Sequence, residues 1–292
     1  MNKTVNQFLI MICFFFSQNL LTQGPPINTE TPIMLGLQGS GVRSFAKIIH
    51  KSVDDESKNY PKVTAIVVPL VIPVNLFNDK FQAGFILPYM NISLKLNGNK
   101  NKTSGMGDGQ IFVKYLLFQK DAKNETFRIA AKTNIKFANG DATLQPALGS
   151  GSTDIVFSTI AGWIKHRVGI YLEAKYALTG SYKSREFGDT FFYNLAFGYR
   201  LLPRIYNQYP MDQVNIFLEL NGLIKYKDEV SGNAINDTGG SSLFLSPGLQ
   251  FVVGSRWLVE SSFQYPIINS WDSFQLVEDW KASFGFRFLF DI

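Results

Sequence analysis

Trp280-Lys-Ala-Ser-Phe-Gly-Phe-Arg-Phe-Leu-Phe-Asp-Ile292 closes the chain, and its pattern decides how the rest is read. Trp280, Ala282, Phe284, Phe286, Phe288, Phe290 and Ile292 share one parity. Lys281, Ser283, Gly285, Arg287 and Asp291 share the other, where Leu289 is the apolar intruder. A β-strand sends alternate side chains to opposite faces, so one face is a row of Phe and the other is polar. Four successive Phe pack badly in a sandwich core, where facing residues alternate in size. A lipid-facing wall sets no such limit, and barrel strands in membranes are apolar outward and polar inward. A soluble sandwich strand also alternates, so the remaining chain must decide.

Composition favours the membrane wall. Only 17% of the 292 residues are charged, 14% are aromatic and 26 are Phe, whereas about a quarter of a soluble domain is charged. Mean hydropathy is +0.01, and beyond residue 25 no run approaches the ~20 apolar residues of a spanning helix. Residues 1–23 read as a signal peptide, with Lys3 in the basic region and Phe8 to Phe16 as the apolar stretch. Cys13, the sole cysteine, falls inside it, which leaves the mature chain without disulfides or thiolate ligands. The formal charge of +5 is spread out, and no basic run of nucleic-acid type is present.

Residues 24–40 form a Pro-rich N-terminal lead-in, followed by an all-β unit over 41–292. Alternating segments predict strands near 41–52, 62–74, 80–93, 108–119, 126–137, 153–164, 167–179, 189–202, 212–226, 241–253, 256–267 and 278–290. Pro69 and Pro73 weaken the second, because proline cannot donate to a ladder. Connections alternate in length. Val53–Pro61, Leu94–Gly107, Ala138–Ser152, Gly180–Gly188, Lys227–Gly240 and Ile268–Val277 are long. Asn75–Asp79, Lys120–Glu125, Lys165–Arg167 and Gly254–Ser255 are short, with Leu202–Met211 the exception. Such a rhythm predicts an antiparallel up-and-down transmembrane β-barrel of about 12 strands, long loops outside and both termini in the periplasm. Membrane lipid is then the principal partner.

Several stretches resemble the outer-membrane transporter family of the phenol meta-degradation pathway type. They are Gly105-Met-Gly-Asp-Gly-Gln-Ile-Phe-Val-Lys-Tyr115, Phe137-Ala-Asn-Gly-Asp141, Gly149-Ser-Gly-Ser-Thr-Asp154, Leu195-Ala-Phe-Gly-Tyr-Arg200, Phe244-Leu-Ser-Pro-Gly248 and Gly285-Phe-Arg-Phe-Leu-Phe290. Ala138 stands where the family usually carries a turn proline. The resemblance runs from about Gly36 to the C-terminus. It implies an outer-membrane barrel that passes small and aromatic solutes into the periplasm. The aromatic closing strand also resembles the signal by which bacterial barrels engage their assembly machinery.

Catalytic chemistry finds little support, and the expectation is a protein that is not an enzyme and needs no metal or cofactor. His50 and Ser52 share a strand face like the base and nucleophile of outer-membrane phospholipases, but Asn/Asp-Gly does not follow and no orienting partner is apparent. His166 reads as a turn residue. Asp108, Asp141, Asp154 and Asp189 lie beside glycines in outer loops, where Asx turns explain them more simply than calcium. The lumen is the candidate site. Lys114, Arg128, Lys132, Lys136, Glu173, Lys175, Arg200, Glu219, Lys225, Glu260, Lys281 and Arg287 take the inward parity, nine of them basic. Lys114, Arg128, Lys132 and Lys136 predict a basic wall favouring anions. The glutamates could instead pair with these bases as structural girdles. Phe112, Phe118, Phe192, Phe217 and Phe244 share the inward parity, either lining a path for aromatic solutes or filling the lumen. A channel, a non-conducting structural or adhesive barrel with a plugged lumen, and, more remotely, a barrel enzyme are the competing expectations.

Overall fold

The computed structural model describes residues 24–36, 39–53, 60–206, 208, 210–271 and 275–291. The expected signal peptide over 1–23 and the terminal Ile292 lie outside them. The described residues form strands and no helix. In chain order these are β1 (Gly39–Ser52), β2 (Lys62–Asn75), β3 (Phe81–Leu96), β4 (Asn99–Met106), β5 (Gln110–Ala122), β6 (Glu125–Lys136), β7 (Asp154–Lys165), β8 (Val168–Leu178), β9 (Ser181–Tyr182), β10 (Arg185–Glu186), β11 (Thr190–Leu202), β12 (Gln213–Lys225), β13 (Glu229–Val230), β14 (Asn233–Ala234), β15 (Gly240–Val253), β16 (Trp257–Trp271) and β17 (Val277–Asp291).

Antiparallel pairing of neighbours closes a ring, because β1 pairs with both β2 and β17. β4 and β5 are two halves of one stave. β4 lies along the upper half of β3 (Tyr89↔Met106 to Leu96↔Asn99) and β5 along its lower half (Phe81↔Tyr115 to Ile86↔Gln110). Residues 107–109 carry the break between them. The result is a 12-stranded closed antiparallel barrel, as the alternation predicts. β9, β10, β13 and β14 build a separate small sheet beyond the rim.

Three long connections are more ordered than expected. Leu94–Gly107 holds the β3–β4 hairpin, turned by Asn97 (φ 49°) and Gly98 (φ 81°), the left-handed pair that a two-residue hairpin requires. Gly180–Gly188 and Lys227–Gly240 each contribute a hairpin to the small sheet. β2 forms in full despite its prolines: its ladder to β3 runs unbroken, while its pairing with β1 skips residues 68–69 and 72–73. At the opposite rim His166 occupies the β7–β8 turn with φ 55°.

Phe284, Phe286, Leu195, Phe197, Ile216 and Leu218 are exposed on the outer wall, while the alternate residues Lys281, Ala196, Phe217 and Glu219 are buried inside. Phe118 corrects the inward expectation. A bulge between Leu116 and Phe118 shifts the β5–β6 register. Phe118 therefore emerges outside against Phe127, with ring centroids 6.0 Å apart.

Phe284, 64% exposed, lies on this lipid-facing band. Phe284→Arg should lower unfolding free energy by roughly 2–4 kcal/mol, the cost of a cation near the bilayer midplane. Denaturant titration in lipid vesicles measures it, and Ser283→Arg on the lumenal parity serves as the comparison.

Candidate functional site: the barrel lumen

Twelve strands about 4.8 Å apart and tilted about 40° enclose a backbone ring roughly 24 Å across, too wide for inward side chains alone to fill. The N-terminal lead-in occupies the difference. Residues 24–34 form a strap inside the barrel, with Pro26, Ile27, Thr29, Pro32 and Met34 buried.

Glu219 on β12 anchors the strap. Its fully buried carboxylate accepts the N–H groups of Ile27 (2.9 Å), Asn28 (3.0 Å) and Thr29 (2.7 Å) and the Thr29 hydroxyl (2.7 Å). Carbonyls face donors on the same wall: Pro25 O accepts from Gln250 (3.0 Å), Pro26 O from Arg287 (2.7 Å) and Ile27 O from Arg43 (2.6 Å). Glu260 binds both arginines, Arg43 at 2.7 Å and Arg287 at 2.9 Å. Across the lumen Glu30 reaches Lys132 at 2.7 Å and Lys114 at 3.4 Å, and Lys114 also donates to Thr31 O. Two glycines admit the strap closely. A Cβ at Gly162 would come within 2.7 Å of Pro32, and one at Gly248 within 2.5 Å of Ile27. Ile27 and Ile33 pack with Ile164, Tyr171, Ala196 and Phe217.

The twelve lumen candidates lie on the inner parity of their strands, but the expected basic wall is matched by acids. Besides the two lysines on Glu30, Lys136 contacts Asp108 (3.1 Å) and Asp154 (2.9 Å), and Arg128 stands 3.6 Å from Asp121. Lys225 pairs with Asp228 (2.9 Å) at the outer rim, and Arg200 lies over the Tyr206 ring near the opposite rim. Glu173 takes the Asn194 amide (2.8 Å) and the Glu30 N–H (3.2 Å). Phe112, Phe192 and Phe244 carry the ammonium groups of Lys132 (4.5 Å), Lys175 (4.4 Å) and Lys281 (3.8 Å) over their rings.

Two cavities remain beside the strap. One of about 220 Å³ is lined by Arg43, Phe45, Lys47, Lys175, Phe192 and Lys281 among others. The other, of about 350 Å³, is bounded by Glu30, Lys132, Asn134, Glu173 and Arg287 among others. Asn28, Arg43, Lys175 and Phe192 border both. Sequence reading missed Arg43, Lys47 and Glu30. β1 mixes polar and apolar residues on both faces, and Glu30 sits in a segment without periodicity. Lys114 directly opposite Lys132 on the inner face, two bases with no acid between them on the sheet, was the available signal for Glu30.

The glycine-rich motifs converge at the outer rim. Asp108 accepts the N–H groups of Gly140 (2.8 Å) and Ser150 (2.8 Å), joining 105–109 to the 137–153 loop. Asp154 takes the Ser152 hydroxyl (2.8 Å) and Gly180 N–H (3.0 Å). Asp141 caps Thr143 in an Asx-type turn (2.8 Å), and Asp189 binds Thr179 N–H (2.9 Å). Among the described residues no cluster of three or more potential metal ligands occurs. His50 and Ser52 face outward, and Ser52 donates to Asp279 (2.8 Å) while His50 Nδ1 meets Thr64 (3.1 Å). Those bonds do not form a nucleophile–base pair.

Residues 63–267 match the family model described as "Putative MetA-pathway of phenol degradation". The chain belongs to that family. An outer membrane channel from Pseudomonas putida F1 is similar in structure, with a TM-score of 0.70 at 14% identity, over 92% of this chain and 100% of that one. The β domain of the Bordetella autotransporter BrkA superposes with a TM-score of 0.53 at 12% identity, over 86% and 99%. No curated protein sequence matches. The chain's fold is that of bacterial outer-membrane β-barrels.

The Asp108 clamp should respond to acid. Burial opposes its charge, but Ser150 and Gly140 N–H groups and the Lys136 ammonium outweigh it, so its pKa lies below the ordinary carboxylate value. A depressed value contributes stability that is full above the unfolded pKa of about 4 and is lost as pH falls through the folded one. Asp108→Asn at neutral pH should therefore speed proteolysis within 137–153, and the native barrel should show the same cleavage only under acid.

Proposed function

We propose that this barrel is an outer-membrane channel that passes small solutes into the periplasm, with anionic and aromatic-carboxylate solutes favoured, and that it acts without catalysis. The observation that carries the reading is the pair of cavities flanking the strap, bordered by Lys47, Lys175, Lys281 and Arg43 and by Phe45, Phe192 and Phe244. Rings of lysine and arginine favour anions in pores, and the phenyl rings offer apolar surface to a solute's aromatic body. Seven of the lumen residues take roles by position. Lys175, Lys281 and Arg287 border the solute path, while Lys114, Lys132, Glu219 and Glu260 set the strap that narrows it. Membership of the family, and a fold shared with an outer membrane channel, support the same reading.

The non-conducting alternative has its own support. The strap is bonded on both walls, and Leu148 of the 137–153 loop packs inside against Ala65 and Ile92, so the lumen is substantially filled. The β17 strand, with Phe284, Phe286, Phe288 and Phe290 on one parity, is proposed as the segment read by the barrel-assembly machinery.

Planar-bilayer conductance separates the readings. The native barrel should give small, anion-selective currents, and Lys47→Gln with Lys281→Gln should move the reversal potential toward cation selectivity. Glu219→Ala leaves buried N–H groups unpaired at about 1–3 kcal/mol each, and should enlarge the conductance by freeing the strap. Silence from a folded native barrel and from Glu219→Ala alike would favour the structural reading.

A further inference from the structure

β2, β3 and β4 contain four lysines and not one carboxylate. All four lysines, Lys62, Lys95, Lys100 and Lys102, are exposed and stand at the same end of the barrel. Lys62 lies directly opposite Lys95, and Lys95 directly opposite Lys100. Opposed like charges of this kind destabilise a sheet unless something neutralises them. Among the described residues none of the four makes an ion pair. Lysines do blunt free strand edges, which accounts for Lys100 and Lys102 on the outer edge of β4. It does not account for Lys62 and Lys95, which are paired on both sides or sit on an interior strand.

The register fixes which way the row faces. His50, Thr64, Ser93 and Lys102 are aligned across β1–β4. Below them come Ile66, Asn91 and Ser104, and then Val68, Tyr89 and Met106, with Ile66, Tyr89 and Met106 exposed. The opposite parity, Ala65 and Ile92, is buried inside against Leu148. The lysines therefore occupy the outer wall, directly above its apolar band. His50 stacks on Trp280, which stacks on Phe263 (centroids 5.8 and 6.0 Å), and such aromatics mark the level of the membrane interface. Asp279 closes the row at β17, 3.7 Å from His50. At 3.3 Å per residue and a tilt near 40°, Lys102 and Lys95 stand roughly 10 and 15 Å above Tyr89, within reach of the headgroup layer for long side chains.

We infer that this lysine face docks the phosphate groups of an anionic lipid in the outer leaflet. The site opens sideways to lipid and has no enclosing pocket, which suits a phosphate carried on a lipid better than a free ion. Basic side chains at a bilayer surface attract anionic headgroups. The inference does not depend on conduction through the lumen.

The test is native mass spectrometry of the refolded full barrel, titrated in neutral detergent with bisphosphorylated lipid A. Dephosphorylated lipid A and inorganic phosphate serve as controls, and heat-modifiability on gels confirms folding of each variant. The wild type should retain the phosphorylated lipid, and K62Q/K95Q/K100Q/K102Q should bind it at least about 30-fold more weakly. The matching Lys→Arg variant should restore binding. Equal retention by the wild type and the folded glutamine variant would overturn the inference. So would equal binding of dephosphorylated lipid, or displacement by millimolar inorganic phosphate.

Discussion

Three consecutive backbone N–H groups of the strap converge on the Glu219 carboxylate, at 2.7–3.0 Å, and the interior is arranged around that capture. A lone carboxylate on the inner wall of a barrel is costly to bury. An extended segment crossing the lumen has the complementary problem, because its backbone donors lose water without gaining a ladder. Each supplies what the other lacks. The neighbouring wall follows from it: Phe217, two residues before Glu219, packs on Ile27, and Gly248 leaves room for the same side chain.

The charges divide by role once the strap is placed. Arg43, Arg287, Lys114 and Lys132 reach residues 26–31 directly, and Glu260 holds the two arginines together. Those groups spend their charge on chain that cannot leave without exposing buried partners. Lys47, Lys175 and Lys281 are left around the smaller cavity. Lys281 is shared with Glu278 at 2.6 Å, while Lys175, 4.0 Å from Glu173, is held less closely. On the proposed channel reading, selectivity depends on which cations are tied down, rather than on how many face inward.

Much of this was legible in the chain because β-alternation is local. β17, β12 and β11 announced both their faces, and the strand ends fall within a few residues of the expected ones. Inner residues such as Glu219 and Lys281 were visible through parity alone. Phe118 was not, because a bulge is a one-residue insertion that reverses parity without changing composition. The Leu94–Gly107 hairpin was hidden for another reason. Asn99–Ser104 is polar on both faces above the apolar band, so lipid imposes no alternation on it. Some partners of the bases were hidden too: Glu30 and Asp108 come from non-periodic stretches and meet Lys132 and Lys136 only in the folded barrel, whereas Asp154 opens β7 directly opposite Lys136.

The strap's composition also has a physical reading that sequence alone did not supply. In Gly24-Pro-Pro-Ile-Asn-Thr-Glu-Thr31 the two prolines have carbonyls but no N–H. They lie where the wall offers donors, Gln250 to Pro25 and Arg287 to Pro26. From Ile27 onward the N–H groups return, and the wall adds acceptors, Glu219 for residues 27–29 and Glu173 for Glu30, beside the donors Arg43 and Lys114. Replacing either proline would introduce a donor on a stretch matched to guanidinium and amide donors. Shifting the strap by a residue would set Glu219 against the nitrogen of Pro26, which has no N–H to donate. The lead-in is thus held in one register by the order of missing and present donors, and its proline content is part of how the lumen recognises it.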